Sequence, residues 1–264
     1  MSVIAAMSTT AGPPAAVRGS ALRRLIITEL KLGTRDRVSP IWAGAFPLIL
    51  LVIFGAIPSF RKPTASLGGY TPLDVYVPIL IAFSMAMAAV VVMPMLLAGY
   101  RERGVLRRLQ TTPAGPYRVL AAHLIINLAL AAVSATEILL IARFGYGVSL
   151  PRQLAGFVLA VLFIAAALLA LGLFVAAIAP SGRAAQMIGA LLFYPMLFFS
   201  GMWWPIPMMP SVMQHISEAT PLGAAWQAMS NAGVGHWPPA LPLATLAAYA
   251  VVLSLGAARL FRWK

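Results

Sequence analysis

The sequence has no cysteine, only six acidic residues and only three lysines in 264 positions. Without cysteine there is no disulfide and no thiolate to hold a metal. The carboxylates Glu29, Asp36, Asp74, Glu102, Glu137 and Glu218 are scattered and offer no pair for acid–base work or metal binding. The H-E-x-x-H of a zinc protease and paired aspartate clusters for magnesium diphosphate are both missing. A rhomboid-like Ser/His site needs Gly-x-Ser-Gly, and Phe198-Phe199-Ser200-Gly201 lacks the first glycine. The phosphate-cradling loop G-x-x-x-x-G-K-[ST] is also missing, and the lysines are only Lys31, Lys62 and Lys264. Charged residues make up 9% of the chain, too few to coat a water-facing surface.

What is present is apolar: 61% of the residues are hydrophobic, and the mean hydropathy is +0.90. A bilayer crossing takes about 20 mainly apolar residues. Runs of that kind cover 38–60, 75–100, 119–141 and 153–182, and proline clusters trim two longer runs to 185–204 and 240–258. The expectation is an all-α membrane protein with six transmembrane helices. The net charge of +13 then reports topology rather than nucleic-acid binding, because the basic residues lie between the apolar runs. Six in the N-terminal segment, five in 101–118, Arg183 and three in the tail make fifteen on one side. Arg61, Lys62, Arg143 and Arg152 fall on the other. The positive-inside rule places both termini in the cytoplasm. Trp203, Trp204, Trp226 and Trp237 fall at or beyond predicted outer ends, with Trp42 and Trp263 at inner ends. Residues 1–17, rich in small and polar residues, read as a disordered tail, and 18–264 as the membrane domain.

Two segments between spans stand out. In Arg18–Lys31, Leu22, Leu25, Ile26, Leu30 and Leu32 share one side and Arg24 and Lys31 the other, the pattern of an amphipathic helix on the inner surface. It serves either as a positive-inside anchor or as an elbow that transmits motion. The second segment, Tyr100–Arg118, carries Arg101, Glu102, Arg103, Arg107 and Arg108 in about two turns. Leu106 and Leu109 share a face, and Thr111, Thr112, Pro113, Gly115 and Pro116 break the helix. A short charged helix held between two spans suits docking onto a cytosolic protein.

This stretch resembles the signature of type-2 ABC exporter permeases, including the daunorubicin-resistance type, roughly R-E-[KR]-G-T-x-E-x-L-x-x-[TS]-P. Arg101, Glu102, Arg103, Gly104, Leu109, Thr112 and Pro113 match; Val105 replaces the usual Thr and Arg107 the frequent Glu. Phe198–Pro210, with Ser200, Gly201, Pro205 and Pro210, resembles the family's [FL]-S-G-x-x-[FY]-P-x-x-x-[LM]-P. Thr220-Pro221-Leu222 resembles its N-P-L-T-Y, with Gly223 and Ala224 in place of Thr-Tyr and Gln227 where Asp is common. The resemblance implies an N-terminal elbow helix, a cytoplasmic coupling helix around Glu102–Gly104, with Leu106, Arg107, Leu109 and Pro113 in it, and an extracellular re-entrant segment that gates the cavity. It implies a bacterial inner-membrane permease subunit pairing with a second permease copy, a homodimer, and with a cytosolic ABC ATPase. ATP and Mg would be bound by that ATPase and no cofactor by this chain.

The third run holds His123, Asn127, Ser134 and Glu137 within about an 80° stripe. Polar groups at membrane depth seldom face lipid, so the stripe should face other helices or water, as packing glue or as a wall of the substrate path. Met85, Met87, Met93 and Met95, then Met187, Met196 and Met202, suit either core filling or adaptable apolar binding. The resemblance favours a cavity lined by these spans, with Phe83, Phe193, Tyr194 and Phe198 adding aromatic contacts. Val212, Met213 and Ile216 imply a short amphipathic piece in the outer segment 205–239. The resulting expectation is export of a hydrophobic drug, lipid or lipid-like metabolite, with multidrug efflux as one case. The alternative is a proton-coupled secondary transporter or channel using Glu137 and His123.

Overall fold

The computed structural model describes residues 39–110 and 117–260, all of whose regular structure is helical. The helices are α1 (Ser39–Ala56), α2 (Pro72–Ala86), α3 (Met93–Glu102) and α4 (Val105–Gln110). They continue as α5 (Tyr117–Tyr146), α6 (Leu154–Ile178), α7 (Gly182–Phe199), α8 (Ser211–Ala219), α9 (Pro221–Val234) and α10 (Ala240–Leu260). A π-helical segment, Met87–Val92, joins α2 to α3 in one unbroken span, Pro72–Glu102. Among the described residues five helices are long and apolar enough to cross a bilayer, and a shorter apolar helix, Gly44–Ala56, stands where the first of the six expected crossings falls. The chain is therefore an all-α, multi-pass membrane protein. The expected tail over 1–17 and the elbow over Arg18–Lys31 lie outside the described residues.

Local chemistry sets the helix ends. α2 starts with a capping box: Thr71 accepts from the Asp74 amide, Asp74 accepts from the Thr71 amide, and Pro72 supplies a pre-set φ. Gly104 (φ +68°), Gly147 (φ +73°) and Gly235 (φ +100°) stop α3, α5 and α9 in the left-handed region that only glycine enters cheaply. α5 thus runs past Arg143 to Tyr146, further than the run 119–141 predicts. α7 is shifted toward its N-terminus relative to the expected 185–204, because Ser181 caps it and Gly201 (φ +91°) turns the chain before Trp203 and Trp204.

The centre of the bundle is the span Pro72–Glu102, the most deeply buried of the five. Pro94 has no N–H to give to the Val90 carbonyl four residues back. Around that gap the helix widens by one residue, and the Met93 amide reaches back to Ala88. Two neighbours close on the widened stretch backbone to backbone. A Cβ on Gly172 of α6 would lie 1.9 Å from the Ala89 carbonyl oxygen, and one on Gly189 of α7 would lie 2.3 Å from that of Val90. Lower down, a Cβ on Gly182 would meet the Met95 carbonyl at 2.9 Å and the Gly99 Cα at 3.2 Å. Small residues let helices approach this closely, and close approach supplies the packing energy that a bilayer does not.

α6 and α10 run parallel, with Gly156 against Pro238 at one end and Gly256 against Phe174 at the other. α9, which has no counterpart among the predicted spans, buries Leu222, Ala225, Ala228, Met229 and Ala232 among α2, α6, α7 and α10. The sequence showed only the amphipathic piece that became α8, because α9 is too short and too small-residued to register as a span.

Gly189→Val and Gly172→Val are expected to lower stability by about 3 kcal/mol, since each must push a rigid carbonyl aside. Gly145→Ala, with nothing within 4 Å of its Cβ position, should melt like the parent. Fluorescence-detected thermal unfolding in detergent checks all three.

Candidate functional site

The end of α3 carries two adjacent opposite charges, and both turn inward on the same neighbour. Arg101 donates through Nη1 to the Ala177 carbonyl (3.2 Å) and through Nη2 to that of Ala179. These carbonyls are at the C-terminal end of α6, where the last turn has no helical partner and the helix dipole is negative. Glu102 accepts through Oε2 from the Gly182 amide at 3.0 Å, the first residue of α7, where the dipole is positive. Ser181 accepts from the Ala184 amide at 3.1 Å and completes the cap. Arg101 and Glu102 thus clasp the α6–α7 turn from its two sides, and the contact of Gly99 with Gly182 seats α3 against it. Arg103 places its guanidinium 5.7 Å from the Tyr100 ring centroid, a cation–π contact. Gly104, its amide bonded to the Arg101 carbonyl at 2.9 Å, turns the chain into α4. Arg103, Arg107 and Arg108 are exposed there. Leu106 and Leu109 belong to α4, but their side chains, and Pro113 altogether, lie outside the described residues.

The residues expected along a path fall into two groups. Phe83 of α2 and Phe193 of α7 meet edge to face, with centroids 5.3 Å apart. Phe46 of α1 extends this line on one side (5.6 Å from Phe83), and Tyr194 on the other (5.6 Å from Phe193). Phe83 and Phe193 are buried, whereas Tyr194 is 62% exposed on a face it shares with Met187 and Leu191. Met87 lies half-buried in the π segment, and Phe198 packs on Phe199 at 5.3 Å. The α5 stripe does not hold together. His123 and Ser134 are buried, His123 with its ring 5.8 Å from Tyr100. Asn127 is half-buried and spends its amide on the His123 carbonyl of its own helix at 2.9 Å. Glu137 is exposed on the outward side of α5, beside Thr136 and Leu140. The ring contacts that join Phe83 to Phe193 and Tyr194 do not reach His123.

The four expected gate residues are turn-makers at the opposite end of the bundle. Ser200 is buried and donates to the Leu197 carbonyl at 2.7 Å. Gly201 reverses the chain under Ile206, Pro205 precedes the single turn Ile206–Met208, and Pro210 precedes α8. Ser217 of α8 ties this corner to α7 by donating to the Phe199 carbonyl at 2.6 Å. Thr220 caps α9 by accepting from the Gly223 amide at 3.2 Å. A Cβ on Gly223 would lie 2.1 Å from the Ser217 carbonyl oxygen, which explains glycine at that position. Val212 and Ile216 are the exposed side of α8, so its apolar stripe faces away from the bundle.

The sequence profile of the ABC-2 type transporters matches residues 20–232, well over half of the chain. The chain belongs to the ABC-2 type transporter family. It is a permease subunit of an ABC transporter, and the family implies an ABC ATPase as its partner and a membrane as its setting. No individually curated protein matches it. Within this ABC-2 permease the Arg-Glu-Arg-Gly motif acquires a structural account residue by residue. Sequence reasoning missed the other half of the clasp: Ala177, Ala179 and Gly182. A local signal did exist, since Pro180-Ser181 reads as a helix stop followed by an N-cap, but nothing in sequence spacing joins it to Glu102, 80 positions away.

Replacing Glu102 by Ala should cost about 1 kcal/mol, the scale of a charged hydrogen bond at an exposed helix end, and Glu102→Gln less. Hydrogen exchange should show the Gly182 amide and its neighbours loosening in the Ala variant. Unchanged protection there would mean that Glu102 does not hold the turn.

Proposed function

We propose that this chain is the membrane subunit of an ATP-driven exporter, moving a hydrophobic drug, lipid or lipid-like metabolite out of the cell. ATP and Mg are bound and hydrolysed on a separate cytosolic ABC ATPase. In this reading the domain spans 18–264, both termini are cytoplasmic, and the bilayer is a bacterial inner membrane.

The observation that carries the reading is the α3–α4 corner. A cytosolic push on α4 has a direct route into the bundle, because the Arg101–Glu102 clasp joins α3 to the α6–α7 turn. The exposed Arg103 and Arg107 form the contact surface for the ATPase, with Leu106, Leu109 and Pro113 completing the coupling segment. The charges support the orientation. Arg101, Arg103, Arg107, Arg108, Arg118, Arg183 and Arg259 gather at the clasp end, and Arg61, Lys62, Arg143 and Arg152 at the other. Cytoplasmic loops carry such an excess.

A second copy of the chain packs on the apolar face of α7 that bears Met187, Leu191 and Tyr194. The Phe46–Phe83–Phe193–Tyr194 line leads toward that face, which makes it the wall of a central path between the two copies. Ser200, Gly201, Pro205 and Pro210 shape the outer closure of that path. A proton relay between His123 and Glu137 fits poorly, since one is buried and the other exposed, separated by about 21 Å of helix rise.

Reconstitution in nanodiscs with a cytosolic ABC ATPase from the same organism tests the proposal. The two should co-purify, and hydrophobic cargo should stimulate hydrolysis. Arg107→Glu should weaken association about tenfold, the effect of reversing one exposed contact charge. Gly104→Val should insert and bind the ATPase while transport falls. Failure to associate with any ABC ATPase would overturn the proposal.

A further inference from the structure

At the end of the bundle opposite the clasp, a cavity of about 310 Å³ opens within the wall of a single chain. It lies between the start of α2, the Val148–Pro151 loop, the start of α6 and the C-terminal part of α9. Neither Phe83 nor Phe193 lines it. Its volume falls at the lower end of the range for small-molecule sites, and its walls have their composition: mostly apolar, with a few convergent polar groups. Val77, Pro78, Leu139, Phe157 and Met229 form the apolar part.

The polar groups point to one chemistry. Asp74 is the only acidic residue in the lining, and no Lys, Arg or His accompanies it. Its two hydrogen bonds, from the Thr71 amide (3.0 Å) and the Thr71 hydroxyl (2.6 Å), both fall on Oδ2, which leaves Oδ1 for a ligand. Two aromatic rings, Tyr70 and Trp226, line the same space. Trp226 is fixed by donating through Nε1 to the Val75 carbonyl at 3.3 Å. Aromatic faces beside a carboxylate that has no basic side chain in the same lining attract a cation of low hydration, and the apolar walls favour one with a bulky body.

We infer that this cavity is a binding site for a lipophilic organic cation, an ammonium or phosphonium centre carrying apolar substituents, with Asp74 as the counter-charge. The site belongs to each chain separately and does not depend on the export reading. It is entered from the outer end past Ser149, which is exposed at its rim.

Equilibrium binding of radiolabelled tetraphenylphosphonium to the full chain in phosphatidylcholine nanodiscs, with empty discs subtracted, provides the test. Saturable binding at one site per chain is expected. Asp74→Asn, which keeps an acceptor for the Thr71 cap, should weaken it about fivefold, and Asp74→Glu should restore most of the loss. Ser149→Trp, a substitution on an exposed loop, should block entry with no change in elution or melting. Tetraphenylborate, of the same shape and opposite charge, should not compete. Binding that is unsaturable, indifferent to both Asp74→Asn and Ser149→Trp, or displaced equally by tetraphenylborate would overturn the inference.

Discussion

The fold depends on how closely α6 and α7 approach the span Pro72–Glu102. Inside a bilayer, burying apolar side chains against each other gains little over leaving them in lipid, so helices associate through contact geometry. Here the contact is backbone to backbone. Pro94 frees the Val90 carbonyl, the helix widens into the π segment, and Gly172 and Gly189 occupy the space that side chains would otherwise claim. Remove that approach and the clasp, the aromatic line and the α9 packing lose their common frame, since each joins α2, α3 or the π segment to α6, α7 or α9.

A second economy concerns charge. The chain has few carboxylates, and two of those described work at helix starts: Asp74 in the cap of α2 and Glu102 at the first amide of α7. A helix N-terminus carries unsatisfied N–H groups and a positive dipole end, so one carboxylate satisfies a donor and a field together. Arg101 does the converse at the end of α6. The polar chemistry near the membrane surface thus holds helix ends in place, and the same two carboxylates lie beside the two sites argued above.

The spans and the motifs were legible because they are local. Apolar length, Gly104 and Thr220-Pro221 each act within a few residues. What was not legible depends on distant partners. The α5 stripe looked coherent by periodicity, but an 80° arc is wide enough to straddle a boundary, and the packing of α5 leaves Glu137 on one side of it and His123 on the other. The methionines divide in the same way: Met85, Met93 and Met196 are buried, while Met187 is 67% exposed. Pro94 removes a donor from its own helix, but nothing local to it says that a glycine nearly 100 positions later would cover the freed carbonyl. The corner at 200–223 was recognisable as a motif, whereas the reason for Gly223 appears only when Ser217 lies against it.

Because Glu102 is turned toward Gly182, the outer surface of α4 presents arginine without an accompanying acid among its described side chains. On the docking reading, a surface of that sign asks for carboxylates on the ATPase that meets it, so the charge of this short helix would govern which motor the chain accepts.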